Sequence, residues 1–165
     1  MTIKLSKIDT LFDECEELGI NIVSELLPSN VKGLYYSDEE TEPVISIDSS
    51  IEAQSEACCV IAEELGHYFT SSGNLITGET NNTIIQQQES RAKRWAYEKL
   101  VPLDKLIQAY ESGVRNRHEL ALYLDVIEDF LEASINYYKE KYGLFHSFGN
   151  YIIYFEPLGI YKMFV

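Results

Sequence analysis

No stretch of this chain approaches the roughly 20 consecutive apolar residues that a membrane-spanning helix requires. Its first residues, Met1-Thr2-Ile3-Lys4-Leu5-Ser6-Lys7, hold no hydrophobic run of signal-peptide length. Cysteine is scarce. Cys15, Cys58 and Cys59 make an odd count with two adjacent, a poor disulfide framework. Positive charge is low relative to negative: 13 basic residues stand against 27 acidic ones, for a net charge of −14. Nucleic-acid binding needs clustered Lys and Arg to displace counterions, and docking on an anionic membrane needs the same. Both partners are therefore excluded at this level, while protein partners, especially basic ones, remain. A soluble, reduced, cytoplasmic protein is the expectation.

What is present suffices for one proper core, since 165 residues are 45% hydrophobic. Ile8, Leu11, Phe12, Cys15 and Leu18 share a helical stripe that Gly19 closes. Asn21 to Leu27, Val31 to Tyr36 and Val44 to Asp48 read as strands. The acidic Ser37 to Pro43 between the last two reads as a solvated hairpin turn. Asp48, Ser49 or Ser50 is expected to cap a long helix from Ile51 to Ser72, stopped by Gly73. After a polar loop from Asn74 to Thr83, a second long helix should run from Ile84 to Leu100 and end at Val101-Pro102. Leu103 to Ser112, His118 to Leu124 and Ile127 to Lys141 read as shorter helices, and Asn150 to Glu156 as a final strand. Strands first and helices after predict an α+β fold.

The chemistry concentrates in Glu63-Glu64-Leu65-Gly66-His67. Residues 63 and 67 lie one helical turn apart, in a helix otherwise apolar from Cys58 to Leu65. Polar groups on a buried stretch must be paired or coordinate something. Metallopeptidase helices carry His-Glu-x-x-His, two imidazoles gripping the metal and a Glu between them as base. Here Glu63 stands in the place of the first imidazole. On the next helix, Glu89 shares a broad face with Ala92, Trp95, Ala96 and Leu100, small neighbours that allow the close approach a third ligand requires. Three protein ligands and an open position define a catalytic rather than a structural site.

Taken in order, these motifs resemble the ImmA/IrrE family of metallopeptidases encoded by phages and integrative elements. The resemblance rests on Gly33-Leu34-Tyr35-Tyr36, Ile45-Ser46-Ile47-Asp48 and Glu63-Glu64-Leu65-Gly66-His67. It continues through Glu89-x-x-Ala92-x-x-Trp95-Ala96, Leu100-Val101-Pro102 and Glu119 to Val126, and covers residues 8 to 142. It implies a small N-terminal twisted sheet packed on a zincin-like active-site helix, followed by a helical, helix-turn-helix-like part. The peptidase domain would then be residues 1–102, with a C-terminal subdomain over 103–165 packed on it as one unit. It also implies Glu64 as general base, His67 and Glu89 as ligands of a divalent metal, and the small helix-turn-helix repressor of a mobile element as protein substrate. Glu63 departs from the family pattern. As a ligand it would make the site more anionic and, beside zinc, open it to Mn²⁺ or Fe²⁺. It also leaves open a catalytically inactive relative that binds and antagonises the repressor.

Other readings carry less. Glu-x-x-His is also the di-iron bundle spacing, but no second copy exists. Cys59 sits two turns from His67, roughly 12 Å along the axis, and reads as core. Gly113 to Lys139 has the outline of a helix-turn-helix whose second helix opens Ile127-Glu128-Asp129-Phe130-Leu131-Glu132, a surface that phosphates would repel. It is expected to serve packing or protein docking. Val44 to Asp48 is the expected sheet edge for a substrate strand. His118, Tyr35 and Tyr36 are the candidates for stabilising an oxyanion.

Overall fold

Ser6 opens the first helix with a reciprocal capping box. Its hydroxyl accepts from the Asp9 N–H at 3.3 Å, and the Asp9 carboxylate accepts from the Ser6 N–H at 3.1 Å. The computed structural model describes residues 6–71 and 82–164, and the chain divides into two compact units, residues 1–96 and 97–165. In the first unit, α1 (Lys7–Glu17) buries Leu11 and Cys15 on the expected stripe, and Gly19 follows it at φ +71°.

Three strands come next: β1 (Asn21–Glu25), β2 (Gly33–Tyr36) and β3 (Val44–Asp48), arranged β1-β3-β2. β3 runs parallel to β1, with Asn21 opposite Val44, and antiparallel to β2, with Leu34 opposite Ser46. The expectation that Val44 to Asp48 forms an edge is therefore overturned: it is the middle strand, and β2 and β1 are the edges. Its alternation misleads because its polar residues are buried and bonded. The Ser46 hydroxyl donates to Glu25 Oε1 at 2.5 Å. Asp48 accepts from the Leu27 and Ser50 N–H groups, both at 2.9 Å, and from the Ser50 hydroxyl. Those bonds, the Ser50 hydroxyl first, hold its carboxyl below the usual range.

Committed to that turn, Asp48 does not cap the next helix. α2 (Gln54–Thr70) begins later than expected, after Ala53, which gives no side-chain cap, and it closes at Ser71. Ser72 and Gly73, and the expected loop as far as residue 81, lie outside the described residues. α3 (Asn82–Leu100) starts at the last residues assigned to that loop. α2 packs on α1 and on the β2 and β3 strands, burying Cys58, Cys59, Ile61, Ala62 and Leu65.

In the second unit, α4 (Leu103–Glu111), α5 (Arg117–Leu124) and α6 (Glu128–Tyr142) match the three expected short helices. Asp125 takes a left-handed conformation, φ +56°, to turn the chain between α5 and α6. The single expected terminal strand is in fact the centre of an antiparallel meander: β4 (Phe145–Phe148), β5 (Tyr151–Phe155) and β6 (Leu158–Lys162). Both hairpin connections are two residues long, Gly149-Asn150 and Glu156-Pro157. β5 packs on α6, where the Tyr138 ring stacks on Phe155 and its hydroxyl donates to the Val101 carbonyl at 2.8 Å. The architecture is α+β, six helices with two three-stranded sheets among the described residues.

Candidate active site

The geometry of the site begins with two glycines. A Cβ on Gly66 would lie 2.3 Å from the Ala92 carbonyl oxygen, so α3 rests its backbone directly on α2. That approach brings Glu89, one turn before Ala92, to His67: Glu89 Oε1 is 3.4 Å from His67 Nε2. His67 is 9% exposed, and its Nδ1 has the Ser71 hydroxyl 3.5 Å away, one turn on. Thr70 ties the same turn by donating to the Gly66 carbonyl at 2.7 Å.

Gly33 works on the opposite side of α2. A Cβ there would stand 2.5 Å from Val60 Cγ1 and 2.8 Å from Glu64 Oε1, so any side chain at residue 33 would push the Val60 and Glu64 side chains from their places. Because the Asp48 N–H donates to the Lys32 carbonyl, antiparallel alternation makes residues 32, 34 and 36 the bonded partners of β3. Gly33 and Tyr35 thus turn their backbone groups to the outer edge, which no strand among the described residues pairs with. The Tyr35 N–H is taken there by Glu64.

Electrostatically the site is crowded with carboxylates. Burial pushes Glu64 up to about 7, and the charges of Glu63 and Glu89 add to the rise, against the Tyr35 hydrogen bond. Burial also raises Glu63, with Lys93 opposing and Glu89 reinforcing. A wall of aromatic rings continues from the site along α2 and α3: Tyr35 meets Tyr68 edge-on at 6.0 Å, Tyr68 meets Phe69 at 5.0 Å, and Phe69 stacks on Trp95 at 4.9 Å.

Of the residues singled out by sequence, His67 and Glu89 are brought into contact. Glu64 lies at the strand edge, and Glu63 lies within electrostatic reach of Glu89 and Lys93. Among the described residues, no three His, Cys, Asp or Glu side chains form a complete metal-ligand group. The oxyanion candidates separate. The Tyr36 hydroxyl is committed to Asp38 at 2.5 Å, and His118 Nδ1 lies 2.7 Å from Glu128 Oε1 at the surface of the second unit. Tyr35 remains beside Glu64. Sequence reading missed Ser71 and took Gly33 only as part of a strand motif; a glycine opening a strand of large residues was the one available signal for its close approach to α2.

No helix among the described residues is long and apolar enough to cross a membrane. Comparison with curated proteins and with solved structures gives no match. A peptidase family model described as the IrrE N-terminal-like domain matches residues 15–136, which include Glu63, Glu64, His67 and Glu89. With well over half its length so matched, the chain belongs to the IrrE N-terminal-like family of peptidases.

Proposed function

We propose that the chain is a metal-dependent endopeptidase with a zincin-like site, using Glu-Glu-x-x-His in place of His-Glu-x-x-His. The observation that carries this reading is the meeting, on one stretch of α2, of the His67–Glu89 pair with a half-buried Glu64 held at an open strand edge. Glu63, His67 and Glu89 would hold the ion. One imidazole and two carboxylates suit a divalent metal, zinc first, with Mn²⁺ or Fe²⁺ favoured by the extra oxygen donor. Burial first, and then the charge of Glu89, raise the proton affinity of Glu63, and a divalent cation would offset that repulsion. When bound, such an ion acidifies a water and polarises a peptide carbonyl.

The chain's own residues do the rest. Glu64, with a proton affinity near neutrality, takes a proton from the attacking water and returns it to the leaving amine. An extended substrate segment pairs with the outward backbone groups of Gly33 and Tyr35 along β2, taking the Tyr35 N–H from Glu64; this edge replaces the one expected from sequence. The substrate would be the small helix-turn-helix repressor of a phage or mobile element. A basic DNA-binding protein complements a net charge of −14.

One observation favours a second reading, a catalytically inactive relative that binds and antagonises the repressor: Glu63 occupies the place of the first imidazole. Metal analysis of protein supplemented with zinc, manganese or iron, followed by incubation with a small repressor encoded beside it, separates the two. The enzyme reading expects bound metal and a cleaved repressor, with cleavage abolished and binding retained in Glu64→Gln. No metal under any supplementation would sink it.

A further inference from the structure

A separate hollow lies wholly within residues 97–165, and the proposed peptidase chemistry makes no use of it. It encloses about 530 Å³, within the range of small-ligand sites. Leu106 and Ala109 of α4 and Leu120 of α5 form one wall, and Leu158 and Ile160 of β6 form the other. At its mouth stands Arg115, on the turn between α4 and α5. Its Nη1 donates to the carbonyls of Tyr110 and Val114, both at 3.0 Å, and its guanidinium lies over the Tyr110 ring, 5.2 Å from the centroid.

These contacts hold the guanidinium in place without neutralising it, since a carbonyl carries no net charge. Among the described residues Arg115 forms no ion pair with a carboxylate, whereas the neighbouring Arg117 is 3.6 Å from Glu132 Oε1. Glu119 is engaged with the backbone, accepting from the Arg115 N–H at 3.0 Å. In a chain of net charge −14, Arg115 is a held cation that lines an apolar hollow and has no carboxylate ion pair among the described residues.

We infer that this hollow binds a small amphiphile, its apolar body seated between the helices and β6 and a single carboxylate bound by Arg115. The monoanion follows from the charges. Of the two guanidinium groups lining the hollow, Arg117 is paired with Glu132 and Arg115 has no carboxylate partner among the described residues. The Glu119 carboxylate close to the Arg115 backbone would repel a dianion. The planar guanidinium matches a carboxylate in two parallel hydrogen bonds. The site is independent of the metal reading.

Sodium octanoate, 1-octanol and sodium acetate, titrated separately into the isotope-labelled full chain and followed by amide chemical shifts, test it. Octanoate should saturably shift the amides of Leu106, Ala109, Leu120 and Leu158 to Ile160. Octanol should bind about tenfold more weakly, and acetate should leave those amides unmoved. Arg115→Gln should reduce octanoate affinity to that of octanol while sparing octanol. Because Arg115 also ties the turn, Ile160→Trp provides a second variant, filling the far wall with Arg115 intact and weakening both probes alike. Absence of saturable shifts with octanoate, equal affinity for octanoate and octanol in the native chain, or octanoate binding unchanged in both variants would overturn the inference.

Discussion

Gly66 and Ala92 meet backbone to backbone, with no room for a methyl group between them: a Cβ at residue 66 would be 2.3 Å from the Ala92 carbonyl oxygen. Gly66→Ala sets two effects against each other. Alanine gains about 1 kcal/mol of helix propensity, and overpacking against a backbone costs roughly 1–3 kcal/mol. The clash should win, because neither helix backbone can yield as a flexible side chain would. We expect a net loss of about 1 kcal/mol in urea denaturation, with Glu89 displaced from His67. A gain in stability would mean that α3 can slide away freely.

Replacing Glu63 by histidine tests whether residue 63 is a ligand. The change removes one negative charge and supplies the nitrogen donor that zinc takes readily. Competition with a chelating dye should show zinc held about tenfold more tightly, or better, in Glu63→His. Equal affinity in the two proteins would place residue 63 outside the ligand set.

Asp48 predicts an acid-side weakness. Its folded carboxyl sits below the unfolded value of about 3.9, so its hydrogen bonds contribute fully above that value and are lost as pH falls through the folded one. Asp48→Asn puts an amide donor where three donors already converge, so stability at neutral pH should drop. The variant's melting temperature should also fall less steeply than the native protein's between about pH 4 and pH 2. Parallel curves would show that Asp48 has no part in acid unfolding.

Within the second unit, Tyr138→Phe removes a buried hydroxyl and leaves the Val101 carbonyl without that donor. The ring stacking on Phe155 stays, which isolates the hydrogen bond. Chemical denaturation should register a loss of about 1 kcal/mol. No loss would mean that water replaces the hydroxyl at that carbonyl.

Local patterns made much of this molecule legible. The apolar spacing of α1, α4, α5 and α6 located each within a few residues, and the spacing of Glu63, Glu64, His67 and Glu89 marked the stretches that the fold brings together. The errors lie where distant residues decide. Val44 to Asp48 alternates like a half-exposed edge, yet Glu25, Leu27 and Ser50 satisfy its polar side chains and let it sit in the middle. Asp48 looks like a helix cap because its bond to Leu27, 21 residues back, has no local signature. β4 and β6, with His146, Ser147 and Gly159 among so few residues, are short and weakly patterned. They become strands by pairing with β5.

The outer side of β2 pairs with no strand among the described residues. An unpaired strand edge invites indiscriminate pairing with other chains, and native proteins commonly guard it with charge. Here the guard is Glu64 itself, which occupies the Tyr35 N–H. A chain that paired with the Tyr35 N–H would take that donor away and so remove a hydrogen bond that favours the ionised carboxylate. Docking and basicity would then be linked through one backbone hydrogen, since losing it takes away a bond that lowers the proton affinity of Glu64.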